Sequence, residues 1–118
     1  MSTLKVNDLQ EATSGGSKIW PARAWVNFNG TGSVSIRADG NVSSITDRST
    51  GQYTLNFSNA LTDANYSGGC GATIGGSANN NRSAAVGPVN SSSAYYNTWT
   101  DNGASFQDVA QSHANIVR

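Results

Sequence analysis

This chain has little of what usually anchors a small protein or performs chemistry. It holds one cysteine, one histidine and two prolines in 118 residues. A single Cys70 excludes an internal disulfide. A single His113 excludes a histidine-rich metal site and leaves one imidazole for acid–base work. Charge is scarce: seven Lys and Arg balance seven Asp and Glu, for a formal net charge of zero. That balance argues against electrostatic capture of nucleic acid. No apolar run is long enough to cross a bilayer. The opening, MSTLKVNDLQ, lacks a signal-peptide apolar region, so the expected site of synthesis is a cytoplasm. On that expectation the Asn-x-Ser/Thr sequons at Asn29, Asn41, Asn56, Asn65, Asn81 and Asn90 read as chance matches in an Asn- and Ser-rich chain.

Large apolar side chains are also sparse. Val, Ile, Leu and Phe make up roughly 17% of the chain, a level tied to disorder when net charge is high. Here the net charge is zero, and strand formers are spaced among Gly, Ser, Thr and Asn. A turn-rich all-β protein fits better. Few apolar side chains, no disulfide and no metal cluster leave oligomerisation as the route to a complete core. The expectation is an obligate homo-oligomer, one domain with a short arm.

Residues 1–22 form that arm. Leu4, Val6 and Leu9 offer a small apolar set for attachment or oligomerisation, and ATSGGSK (12–18) reads as a linker. Residues 23–118 form the domain. Ala24, Val26 and Phe28 alternate with Trp25 and Asn27, and Asn29-Gly30 reads as a tight turn. Val34, Ile36 and Ala38 alternate next, up to an Asp39-Gly40 turn. Stretches 42–46 and 52–58 read as a hairpin, with Tyr53, Leu55 and Phe57 on one face. Further strands are expected at 66–75, 84–89, 94–100, 105–109 and 114–117. QDVAQSHA (107–114) has helix-like composition, but its shortness favours strand or loop. Short strands at regular spacing predict a small antiparallel β-sandwich, jelly-roll-like, behind the arm.

No catalytic constellation emerges. Asp108, five residues from His113, suits neither a shared strand face nor a helical pair. Cys70 lies among Gly68, Gly69 and Gly71 with no cation near in sequence, and reads as a small apolar filler. Those glycines lack a Gly-Lys-Ser/Thr ending, and the Asp and Asn clusters at 39–41 and 101–102 are explained by turns. No metal and no cofactor is expected. The aromatic segment is more informative. On a strand, Tyr95 and Tyr96 must face opposite ways, so one of them, with Trp99, is a candidate for ligand or partner contact. Packing in the core or at a subunit interface is the competing role for Tyr95, Tyr96 and Trp99.

The phrases AWVNFNGTG (24–32), VSIRADGNVSSITD (34–47), GQYTLNF (51–57) and ALTDANY (60–66) resemble a module of bacteriophage tail-fibre and related virion proteins. The close likeness covers about 40 of the 118 residues. TLKVNDLQ also resembles the start of such proteins. The resemblance implies a non-enzymatic β-structured virion component, commonly a homotrimer, that contacts the host surface as a tail fibre, spike or knob. Its partners would be its own copies and other virion proteins, with a host-surface glycan or protein left open. A capsid or tail decoration protein is the alternative, and a glycan-active enzyme a remote one. Specificity is expected in the loops and aromatics after Gly75.

Overall fold

The computed structural model describes residues 10, 12, 15–18, 20–74 and 81–118. It is all-β. Eight strands follow in chain order: β1 (Ala22–Asn29), β2 (Ser35–Gly40), β3 (Val42–Ser49), β4 (Gln52–Phe57), β5 (Ser67–Thr73), β6 (Asn81–Asn90), β7 (Ser93–Trp99) and β8 (Gln111–Val117). All pairings are antiparallel, in the order β2-β1-β8-β5-β6-β7-β4-β3.

The expected two-sheet sandwich is therefore corrected to one nearly closed, barrel-like sheet. Two features produce the closure. β6 ladders with β7 from Ser83 to Asn90, while its first residues, Asn81 and Arg82, pair with Thr73 and Ala72 of β5. The edge strands β2 and β3 are consecutive in the chain, so one residue, Asn41, joins the two edges. Asn41 takes the left-handed conformation at φ 59°, which Asn tolerates better than most residues. Its amide pins the corner. Nδ2 donates to the Arg23 and Asn59 carbonyls at 3.1 and 3.0 Å, and Oδ1 accepts from the Asn59 N–H at 2.8 Å.

Period-two alternation fills the interior. Ala24, Val26 and Phe28, then Tyr53, Leu55 and Phe57, then Ala94, Tyr96 and Thr98, then Ser112, Ala114 and Ile116 all point inward. At the centre the Phe28 ring meets Tyr53 and Tyr96 edge-on, at centroid distances of 5.3 and 5.2 Å. Each buried phenol finds an acceptor. Tyr53 reaches Asp108 Oδ1 at 2.7 Å and lies 2.9 Å from the Gly30 carbonyl. Tyr96 donates to the Gly71 carbonyl at 2.7 Å, and Tyr66 to the Ser93 carbonyl at 2.6 Å.

Several local expectations shift. Asn29-Gly30 is not a two-residue hairpin. Asn29 Oδ1 accepts from both the N–H and the hydroxyl of Thr31, and Gly30 N–H is drawn to the Val109 carbonyl, so the connection runs through residues 30–34. The break expected at Asp39-Gly40 falls one residue later, at Asn41. Stretch 105–109 is no strand. Its ladder is a single bridge, Phe106 to Trp99, because Val109 turns inward beneath Gly30. Of QDVAQSHA, the last part belongs to β8. Leu4, Val6 and Leu9 lie outside the described residues.

Candidate ligand and partner surface

Along β7, alternate residues separate core from surface. Tyr96 is completely buried, so it is a core residue and no contact residue. Tyr95 is 43% exposed. Tyr95, Asn97 and Trp99 project from the outer face in one row, which spans about 13 Å at strand rise. The register sets low neighbours beside this row: Gly87, Ala85 and Ser83 on β6. On the other side Thr54 and Gln52 of β4 oppose Tyr95 and Asn97.

Two further groups complete the row. Arg48, on edge strand β3, reaches across β4 and lays its guanidinium over the Tyr95 ring, 4.3 Å from the centroid. One of its amino groups donates to Asn97 Oδ1 at 2.8 Å and to the Tyr53 carbonyl at 3.1 Å. At the far end Phe106 stacks on Trp99, with centroids 5.3 Å apart and planes 25° from parallel. The surface thus carries aromatic faces, a held cation and an amide in line. Such a set suits stacking plus hydrogen bonding to a sugar or a protein. Arg48 and Phe106 escaped sequence reasoning: the β7-β4-β3 order brings Arg48 to β7, and the turn through 100–105 folds Phe106 back onto Trp99.

The residues weighed for catalysis are kept apart. Asp108 Oδ1 accepts from Tyr53 and from the Gly51 N–H at 2.8 Å. His113 is exposed on the outer face of β8, where its ring covers Gly71 of β5. Cys70 packs against the core, and burial pushes its thiol pKa up, away from the reactive thiolate. Among the described residues no group of three or more His, Cys, Asp or Glu could hold a metal ion.

A second feature lies where the Asn41 corner meets the end of β8. Arg23, Asn41, Ser58, Asn59, Ala60, Leu61, Thr62 and Arg118 line an open hollow of about 520 Å³. No local motif announces it, since its walls come from four separate stretches of chain. Comparison with family models, curated proteins and solved structures found no match to this chain.

Proposed function

We propose that this protein is a non-enzymatic bacteriophage virion component, a homotrimeric tail-fibre-, spike- or knob-like protein whose β7 outer row contacts the host surface. The observation that carries the reading is that row: Tyr95, Asn97 and Trp99 aligned, flanked by small residues, with Arg48 and Phe106 fixed against them. Such a contact is shallow, and three copies on one axis would strengthen it through multivalency. The phrases that resemble the phage module fall mainly on β1 to β4, where they build the frame.

Outward-facing Trp25 and Val117, 43% and 38% exposed, support the oligomeric part. Trp25 pairs with Asn115 on β8, two residues before Val117, so both lie on one outer face. Covering such side chains is what a subunit contact would do. The same face favours a second reading, a decoration protein seated on a capsid or tail lattice.

Light scattering tests assembly: the purified protein should run at three times 12.2 kDa. A well-folded monomer at micromolar concentration overturns the trimer. Adsorption of phage to host cells should fall when purified protein competes. Localisation to the capsid shell by electron microscopy of the particle would favour the decoration reading.

A further inference from the structure

The hollow at the Asn41 corner is built rather than incidental. Asn41 spends its whole amide on the Arg23 and Asn59 backbones, which fixes the floor. Asp63 takes the Arg118 guanidinium through paired bonds of 2.9 and 2.8 Å, and the Asn65 N–H holds the same carboxylate. Arg118 is thereby neutralised at the rim. Arg23 is treated differently. Its Nε makes one long contact, 3.4 Å, to the main-chain oxygen of Arg118. Its two amino groups meet no side-chain partner among the described residues.

The hollow therefore presents one guanidinium fork with unused donors. Beside it stand the Ser58 and Thr62 hydroxyls, which make no side-chain hydrogen bond among the described residues, and the apolar faces of Ala60 and Leu61. Its volume falls within the ~300–1,000 Å³ range of small-molecule sites, yet its lining is mostly polar. A fork selects a planar carboxylate through two parallel hydrogen bonds. Hydroxyls that both donate and accept select a hydroxylated ligand. A small apolar patch suits the C–H face of a sugar ring.

We propose that this hollow binds an acidic sugar residue of the hexuronic acid class, with its carboxylate on Arg23 and its hydroxyls on Ser58 and Thr62. Whatever particle or cell carries the chain, the same chemistry would recognise such a residue within an acidic polysaccharide. The hollow uses none of the residues of the β7 row.

The test is a titration of the full chain followed by amide NMR, with glucuronate, glucose and inorganic phosphate as separate probes. Glucuronate should shift resonances of Arg23, Ser58, Leu61 and Thr62 with a millimolar Kd, and glucose should bind at least ten-fold more weakly. Arg23→Lys should lose several-fold in affinity while the remaining spectrum stays unchanged, because the charge stays and the fork is lost. Thr62→Val should weaken glucuronate with Arg23 untouched. Three results overturn the proposal: no shifts with glucuronate, glucose binding equally well, or phosphate matching glucuronate. A monomer or a decoration protein that still binds glucuronate would leave the inference standing while the virion-attachment reading failed.

Discussion

Tyr53 and Asp108, 55 positions apart in the chain, are joined by a 2.7 Å hydrogen bond between the phenol and Oδ1. Burial first, then this carboxylate, drives the Tyr53 hydroxyl far above its ordinary pKa, so it stays a proton donor. The same Oδ1 takes the Gly51 N–H, so one carboxylate ties the β3–β4 turn, the β4 core and the chain before β8. Tyr53→Phe removes one donor and should cost about 1–3 kcal/mol in urea unfolding. Asp108→Ala strands two donors and should cost more. Asp108→Asn keeps an acceptor and should cost less than Asp108→Ala. Tyr53→Phe with Asp108→Ala should be less than additive, since the two share a bond.

Gly51 and Gly32 both have positive φ, 66° and 59°, but only one is crowded. A Cβ on Gly51 would lie 2.4 Å from the Thr98 carbonyl oxygen and 2.7 Å from the Gln107 nitrogen. Both are backbone atoms held by the Thr98-to-Gly51 and Gln107-to-Thr98 bonds, so they cannot yield cheaply. A Cβ on Gly32 meets nothing within 4 Å. Gly32→Ala should therefore cost only the left-handed penalty, about 1–2 kcal/mol. Gly51→Ala should cost clearly more and lower Tm by a correspondingly larger step in calorimetry.

The inward faces of β1 and β4 are legible in sequence because alternation at Ala24, Val26 and Phe28, and at Tyr53, Leu55 and Phe57, is a local property. Closure is not local. A sandwich and a barrel demand the same alternation along each strand and differ only in which strands pair. The β1–β8 and β5–β8 ladders join distant segments. Phe106 and Val109 look like strand residues, but no ladder continues past one bridge. At the candidate surface, adjacency alone separates Tyr95 from Tyr96, while which one faces in depends on the register with β4. Arg23 and Arg118 stand 95 positions apart, so no motif could unite them.

Asp63 gives a pH signature at the rim of the hollow. Bonds from Arg118, then from the Asn65 N–H, lower its pKa from 3.8 to about 2. A lowered folded pKa means the interaction is fully present above the ordinary value and is lost as pH falls through about 2. The carboxylate is exposed, so its loss between about pH 4 and pH 2 should lower global Tm only slightly. Carboxyl ¹³C NMR should place the Asp63 midpoint near 2. Arg118→Ala should raise it part of the way back, because the Asn65 bond persists.

Tyr95 and Tyr96 make the sharpest comparison, because neighbours in sequence carry opposite burdens. Tyr96 sits wholly inside, edge-on to Phe28 and bonded to the Gly71 carbonyl. Tyr96→Ala should cost about 3–5 kcal/mol, the range for a large aromatic removed from a core. Tyr95 is half exposed and gives up mainly its stack with Arg48, worth about 0.5–1 kcal/mol at such a site. Tyr95→Ala, alone or with Trp99→Ala, should leave folding nearly intact. If the β7 row contacts the host, the double variant should keep the wild-type assembly and Tm but lose competition for phage adsorption. Dissociation into monomers by the same variant would instead assign the row to a subunit interface. Arg48→Ala separates these further, since it removes the charge and the clamp on Asn97 while leaving both aromatic faces in place. A modest loss of adsorption that is largest at low salt and shrinks as ionic strength rises would mark Arg48 as a contact rather than a support.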